Sequence, residues 1–137
     1  MATLEELKAK AVAMLDMAYV PYSHFPVGAA LECEDGAVFT GCNIENSSYG
    51  LTNCAERTAL FKAVSEGVRE FDAIAIVGSK AGEKNTLVTG PCGVCRQALY
   101  EFGGPGLTVI MAKSEEDYIV TTLGELLPYG FGPANLE

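Results

Sequence analysis

Three cysteines and one glutamate stand in two short segments whose residue types and spacing suit metal chemistry. Cys54 and Glu56 lie in the segment NCAER, and Cys92 and Cys95 lie in the segment PCGVCR. Both segments are predicted to begin helices, where the helix dipole and the free N–H groups stabilise thiolate, the form of cysteine that binds metal. Cys92 and Cys95 are three residues apart and therefore lie on one face of their helix. The pattern predicts a single metal site, with Cys54 as the third ligand.

The same residues predict catalytic rather than structural zinc. Three protein ligands leave one position of a tetrahedral zinc ion open, and this layout is typical of catalytic sites, which use the metal to lower the pKa of water. The softness of three thiolates favours zinc, with one ion per subunit. Glu56 lies on a different azimuth of the helix from Cys54 and is predicted to be the catalytic residue that exchanges protons with water and substrate. Arg57 is predicted to donate hydrogen bonds to the cysteine sulfurs and to offset their negative charge.

Other interpretations of these residues are weaker. A Cys-x-x-Cys pair alone is also the spacing of a thioredoxin-like redox motif, but that motif needs neither a third cysteine nor a glutamate. A structural zinc site, or a zinc-stabilised binding module without turnover, would need a fourth ligand. Cys33 and Cys42 fall on predicted strands and are predicted to be buried without a role in metal binding. His24, the single histidine of the chain, is predicted to lie in a solvated loop.

The elements that must position these residues alternate between helices and strands. Hydrophobic periodicity and turn residues predict helices over residues 3–19, 54–65, 91–102 and 122–127 and strands over residues 27–31, 38–42, 73–77, 107–112 and 118–121. Polar loops are predicted over 43–53 and 79–90. We expect Asn53 to cap the second helix and Pro91 to be the first residue of the third. The order predicts an α/β fold, a three-layer α-β-α sandwich around a five-stranded mixed sheet, in a single domain over residues 1–137.

Composition and charge restrict the class of partner. The chain has 137 residues, five cysteines and a net charge of −9. An acidic surface repels phosphate backbones, so neither a nucleic acid nor an anionic membrane is expected as a partner. The sequence contains no apolar run long enough for a membrane helix, and its N-terminus does not resemble a secretory signal, so a cytoplasmic protein is expected. The odd number of cysteines argues against a disulfide framework.

Four segments carry a resemblance to a known family. They are PYSHFPVGAA at 21–30, GCNIEN at 41–46, CAERTA at 54–59 and PCGVCRQ at 91–97. The last two fit the signature of zinc-dependent deaminases, in which His or Cys is followed two residues later by Glu, and further on by Pro-Cys-x-x-Cys. Over almost its whole length the chain resembles the short, homotetrameric branch of the cytidine deaminase family.

The resemblance implies an enzyme of pyrimidine salvage. It implies that Cys54, Cys92 and Cys95 ligate zinc, and that Glu56 passes protons to N3 and then to the leaving amine. The reaction implied is hydrolysis of cytidine and deoxycytidine to uridine and deoxyuridine, with release of ammonia. A blasticidin-type antibiotic deaminase and a deaminase of polynucleotides share the zinc signature. The segment 43–46 argues against the first of these alternatives, and the acidic charge argues against the second.

The resemblance also assigns substrate contacts within one chain. It implies that Phe25 packs against the pyrimidine ring and that Asn43 and Glu45 bind the ribose 3′-hydroxyl. The backbone N–H of Ala55 is implied to contact the 2-oxo group. A carboxylate accepts a hydrogen bond from a hydroxyl group and repels phosphate, so Glu45 favours a nucleoside over a nucleotide.

Further contacts are implied across subunits of the homotetramer. Residues around Ser47 and Tyr49, and Phe131 near the C-terminus, are implied to reach the substrate site of a neighbouring subunit. Many members of the family have Ala where this chain has Ser47. A subunit of this size would have difficulty closing a pocket alone, and the resemblance therefore implies active sites shared between subunits.

Overall fold

A five-stranded sheet with helices on both faces forms the centre of the protein. The computed structural model describes residues 2–80, 87–114 and 116–137. The helices are α1 (Leu4–Ala13), α2 (Ala55–Ser65), α3 (Gly93–Gly103) and α4 (Leu123–Leu126), and the strands are β1 (Val27–Cys33), β2 (Val38–Cys42), β3 (Phe71–Gly78), β4 (Thr108–Ala112) and β5 (Tyr118–Thr122). Short 3-10 turns occupy Met14–Met17, Tyr49–Leu51 and Pro133–Leu136. The predicted order of helices and strands is confirmed.

The sheet is mixed, as predicted. Its strand order is β2-β1-β3-β4-β5, in which β3 and β4 are parallel and all other neighbouring pairs are antiparallel. The parallel pair requires a crossover connection, and α3 supplies it between β3 and β4. Helix α3, which carries two of the predicted metal ligands, therefore lies between two central strands in the chain and packs on their sheet.

Alternation along the strands divides the core into two layers. On β1, Ala29 and Leu31 belong to the cluster that includes residues of α2, α3 and α4, whereas Ala30 belongs to the cluster formed with α1. Successive side chains of a strand point to opposite faces, so a buried run such as β1 or β3 covers both clusters. The α-β-α sandwich is thereby confirmed. Within the described residues no helix has the length and apolar character needed to cross a membrane.

The ends of several elements differ from the prediction. The first helix ends at Ala13 and continues as a 3-10 turn, a common ending for an α-helix. Asn53 does not cap α2, because its side-chain amide donates to Thr58 Oγ1 at 3.0 Å and Cys54 occupies the N-cap position. Pro91 is not the first residue of α3, because Cys92 takes the extended N-cap conformation and the helix begins after it. Residues 81–86 of the predicted loop 79–90 lie outside the described residues.

Gly41 is the point at which β2 lies directly against α2. A Cβ atom added there would lie 2.6 Å from the backbone nitrogen of Ala59, and closer still to the carbonyl oxygen of Ala55. Both neighbours are backbone atoms and cannot move without displacing the helix. We expect Gly41→Ala to lower the free energy of unfolding by about 3 kcal/mol and the melting temperature by about 10 °C, as measured by circular dichroism.

The matched control for that substitution is Gly50→Ala, since nothing lies within 4 Å of a Cβ atom added at Gly50. It should melt within about 2 °C of the parent protein. A Gly41→Ala protein that melts as the control does would contradict the close packing of β2 on α2.

Candidate active site

Two helix N-termini carry the candidate metal ligands. Cys54 is the N-cap of α2 and Cys92 is the N-cap of α3, both in extended backbone conformation, and neither makes a side-chain capping hydrogen bond. Their carbonyl oxygens accept the first intrahelical bonds, from Thr58 N at 3.0 Å and from Arg96 N at 2.9 Å. Both side chains therefore lie at the positive end of a helix dipole, beside backbone N–H groups that can hydrogen-bond to sulfur.

The sulfur atoms of Cys54, Cys92 and Cys95 converge on one point. The Sγ atoms of Cys54 and Cys92 are 3.6 Å apart, those of Cys92 and Cys95 are 3.3 Å apart, and all three lie within 4.8 Å of one another. Thiolates bound at about 2.3 Å to a tetrahedral zinc ion lie about 3.8 Å from each other. In the part of the chain that the structure describes, no other group of three or more Cys, His, Asp or Glu side chains is arranged to hold a metal ion. The residues present therefore fit zinc.

Arg57 supplies positive charge beside this cluster. Its Nη2 atom donates to Cys54 Sγ at 3.4 Å. Hydrogen bonds from Cys95 and Arg57 lower the pKa of Cys54 to about 5 despite its burial, which means that they favour its thiolate form. Arg57 Nε is buried and has no hydrogen-bond partner among the described residues. A half-buried arginine whose guanidinium contacts sulfur suits a site where several thiolates share one cation.

Glu56 lies next to the cluster without joining it. It is 4% exposed, and it is not part of the group of three sulfur ligands. Burial raises the pKa of Glu56 to about 7, because a desolvated carboxylate is less stable than the neutral acid. A carboxyl group in this environment can both accept and release a proton near neutral pH.

Two adjoining cavities open beside these residues. The smaller has a volume of about 150 Å³, and its walls include Cys54, Glu56 and Cys92. The larger, of about 300 Å³, is lined by Tyr22, Ser23, Glu45, Tyr49 and Thr52. Thr52 lines both cavities, which shows that they are neighbours. We refer to them below as the inner and the outer cavity. Asn43 and Ala55, both predicted to contact substrate, line the inner one.

Asn43 and Glu45 are held by the backbone before Val27. Asn43 Oδ1 accepts a hydrogen bond from Val27 N at 2.8 Å, and Asn43 Nδ2 donates to the carbonyl oxygen of Phe25 at 2.9 Å. Glu45 Oε1 accepts from the backbone of Tyr22 at 3.0 Å and of Ser23 at 3.1 Å, and Oε2 accepts from the Ser23 hydroxyl group. The bond from that hydroxyl is the largest cause that lowers the pKa of Glu45, so the side chain is an ordered carboxylate. Each amide or carboxyl group retains hydrogen-bonding capacity towards the cavities.

The other predicted substrate residues lie around the rim or away from it. The ring of Phe25 is half-buried and packs on Gly78, since a Cβ atom added there would lie 2.8 Å from Phe25 Cε1. Ser47 and Phe131 are exposed and line neither cavity. Tyr49 lies in the wall of the outer cavity, where its ring meets that of Tyr22 edge to face at a centroid distance of 5.6 Å.

Five wall residues of the inner cavity were not among the predicted site residues: Val27, Thr52, Asn53, Thr89 and Gly90. Thr52 precedes the first motif cysteine by two residues, and Thr89 and Gly90 stand shortly before the second segment. The sequence contains one indication that these three residues belong to the site, namely their proximity to the predicted ligands. A helix N-terminus that points into a cavity brings the preceding loop residues to the same cavity.

The remaining predictions about single residues agree with the structure. Cys33 and Cys42 are buried on β1 and β2, outside the metal-binding group. Burial raises the pKa of Cys33 to about 11, so its thiol stays neutral. His24 is exposed in the loop before β1, with a φ angle of 56°. All five cysteines are free thiols.

Comparison with known proteins agrees with this geometry. Residues 1–112 match the family model described as the cytidine and deoxycytidylate deaminase zinc-binding region. The chain is 49% identical over 134 residues to cytidine deaminase from Sporosarcina psychrophila, covering 98% of this chain and 95% of that protein. It is 51% identical over 122 residues to cytidine deaminase from Halalkalibacterium halodurans, covering 89% of each. The crystal structure of cytidine deaminase from Burkholderia pseudomallei matches with a TM-score of 0.87 and 50% identity, covering 95% of this chain and all of that one. Both the sulfur cluster and these similarities lead to one conclusion: the chain belongs to the cytidine and deoxycytidylate deaminase family, whose members share a zinc-binding region.

Proposed function

We propose that the protein is a zinc-dependent hydrolase that converts cytidine and deoxycytidine to uridine and deoxyuridine with release of ammonia. The observation that carries the proposal is the cluster of three cysteine sulfurs beside one small cavity, whose walls include Cys54, Cys92 and the buried residue Glu56. This combination supplies a metal with an open position and a proton carrier beside it. The naming of related proteins as cytidine deaminases supports the choice of substrate.

The ligands of zinc in this proposal are Cys54, Cys92 and Cys95. The chemistry that zinc supplies at such a site is Lewis acidity, which makes water nucleophilic near neutral pH. Glu56 takes a proton from the attacking water and delivers it to N3 of the pyrimidine. The oxygen adds to C4, the bond from C4 to the amino group breaks, and Glu56 passes the second proton to the leaving amine. Arg57 holds Cys54 as a thiolate, and one water is consumed for each ammonia released.

The nucleoside fits the two cavities by size and charge. The inner cavity would take the pyrimidine, with the Ala55 N–H on the 2-oxo group, while Asn43 and Glu45 bind the ribose 3′-hydroxyl. Phe25 is not among the residues that line either cavity, so its ring would have to approach the pyrimidine from its place against Gly78. Neither cavity has a lysine or arginine among the described residues that line it. A phosphate group would therefore meet the Glu45 carboxylate with no cation to offset the repulsion.

The test is a deamination assay on protein of measured zinc content, following the loss of ultraviolet absorbance with four substrates in parallel. We expect turnover of cytidine and deoxycytidine, and values of kcat/KM at least about tenfold lower for cytosine and CMP. The reason is that cytosine leaves the groups around Glu45 unpaired and CMP brings a second negative charge to them. No turnover of either nucleoside by zinc-loaded protein would overturn the proposal.

We further propose that the protein is a homotetramer whose active sites are shared between subunits. We also propose that it is located in the cytoplasm. Exposed aromatic and apolar side chains support an interface; they include Tyr49, Leu51, Phe61 and Phe131. Tyr49 lines the outer cavity and Ser47 lies two residues before it in the chain, and a second subunit would complete the wall there. Five free cysteines suit a reducing compartment. Sedimentation that finds a fully active monomer would overturn the shared site.

A further inference from the structure

The turn that carries Phe131 is fastened to the same helix that carries two of the metal ligands. Gln97, two residues after Cys95 on α3, donates from Nε2 to the carbonyl oxygen of Phe131 at 2.8 Å. The neighbouring Arg96 donates from Nη1 to the carbonyl oxygen of Leu126 and from Nε to that of Pro91, both at 2.8 Å. One turn of α3 thus binds two points of the C-terminal segment.

The ring of Tyr100 makes a second contact with the turn that carries Phe131. Gly130 and Gly132 flank Phe131, and both lie against the ring of Tyr100, three residues after Gln97 on the helix. A Cβ atom added at Gly130 would lie 2.8 Å from Tyr100 Cε2, and one added at Gly132 would lie 2.6 Å from Tyr100 Cε1. The backbone on either side of Phe131 is therefore in direct contact with an aromatic plane. A hydrogen bond of 2.8 Å from Gly132 N to Asn135 Oδ1 closes the turn on its far side.

These contacts hold the backbone of the turn but leave its aromatic side chain outside. Phe131 is 59% exposed, although its own carbonyl oxygen and both flanking residues are bound to α3. A large apolar ring held at a fixed place on the surface loses little conformational entropy when it packs against another molecule. The arrangement suits an aromatic side chain that is presented to a partner.

We propose that Gln97, supported by Tyr100, is a positioning residue that fixes the backbone from which the Phe131 ring projects. The inference rests on the proposed function for its effect on activity, because the Phe131 ring would act at the nucleoside site of a neighbouring subunit. Gln97 itself touches neither substrate nor metal. Its role is to couple the helix of the metal site to the turn that completes the partner's cavity.

The test is a double-mutant cycle between Gln97 and Phe131. Gln97→Met keeps the length of the side chain but removes the donor, and is expected to raise KM for cytidine about fivefold while kcat falls less than about twofold. Phe131→Ala should raise KM at least as much. Because Gln97 acts through Phe131, adding Gln97→Met to Phe131→Ala should have no further effect. An additional rise of about fivefold in that background would overturn the proposal.

Two controls separate positioning from general damage to the fold. Gln97→Lys retains a donor to the carbonyl oxygen and should restore KM to within about twofold of the parent protein. Glu101→Gln alters an exposed residue on the next turn of α3 and should leave KM and kcat unchanged. A KM for Gln97→Lys as high as that for Gln97→Met would contradict a role for the donor.

A reporter that needs no turnover tests the turn independently of the proposed reaction. The chain contains no tryptophan and six tyrosines, so Phe131→Trp introduces one tryptophan per chain at the turn, which can be excited at wavelengths that tyrosine does not absorb. Gln97→Met in that background is expected to lower the fluorescence anisotropy, because the released turn moves faster. Unchanged anisotropy would overturn the positioning role even in an active enzyme. Lowered anisotropy in a protein that does not deaminate nucleosides would uphold it while refuting the proposed function.

Discussion

Glu56→Gln is expected to bind one zinc ion per chain and to deaminate cytidine with kcat reduced about a thousandfold. Glutamine has nearly the shape of glutamate and, like the protonated acid, is neutral, so the buried position should accept it without loss of packing. It cannot take a proton from water or return one to N3. Glu56 is not one of the three predicted metal ligands, so the substitution should leave metal binding unaffected. Metal analysis and single-substrate kinetics on the same preparation measure both quantities.

The matched control is Glu66→Gln, an exposed carboxyl group at the other end of α2, which should retain full activity. The comparison separates the loss of a carboxylate in general from the loss of this one. A Glu56→Gln protein with zinc bound and more than about a tenth of the parent activity would refute the proton carrier, since general acid–base catalysis contributes far more than that factor. A protein without zinc would instead show that Glu56 supports the metal.

Much of the fold could be predicted because the hydrophobic pattern within each segment indicates whether that segment is a helix or a strand. The apolar run Ala73–Val77 indicated a strand buried on both faces, and β3 has that environment at its end from Ile74 onwards. Helix ends were less predictable. At Asn53 the side-chain amide donates to Thr58 Oγ1, and at Pro91 the N-cap position is taken by Cys92, so that α3 begins two residues later than predicted. Residue type alone did not decide which of two neighbouring residues caps the helix.

The candidate site likewise has a part that could be predicted from the sequence and a part that could not. The approach of Cys54, Cys92 and Cys95 was predictable, because thiolate is a good zinc ligand and the three-residue spacing of Cys92 and Cys95 places both on one face of a helix. The walls of the cavities were predicted only in part. Asn43 and Ala55, both predicted to contact substrate, line the inner cavity, whereas the types of Thr52 and Thr89 give no sign of a role in the site. Nor does any local pattern indicate that Gln97 holds the turn at Phe131, since the bond joins residues that are 34 positions apart.

Cys95→Ser is expected to abolish zinc binding and activity together. Cys95 is fully buried, and its sulfur lies 3.3 Å from that of Cys92. A serine hydroxyl group does not ionise near neutral pH and is a harder, weaker ligand than thiolate. Two thiolates would remain, and we expect less than about 0.1 zinc ion per chain after dialysis against a chelator. Atomic absorption measures the metal, and thermal unfolding measures the stability that bound zinc adds to the fold.

Cys42→Ser distinguishes loss of a ligand from loss of a buried sulfur. Cys42 is 8% exposed on β2 and lies outside the metal-binding group, so its serine variant should lower the melting temperature while keeping zinc and kcat. If Cys95→Ser kept zinc to the extent that Cys42→Ser does, the third ligand would have to come from elsewhere. Because no other described Cys, His, Asp or Glu side chain completes the cluster, that result would remove both the open metal position and the geometric basis for hydrolysis at this cavity.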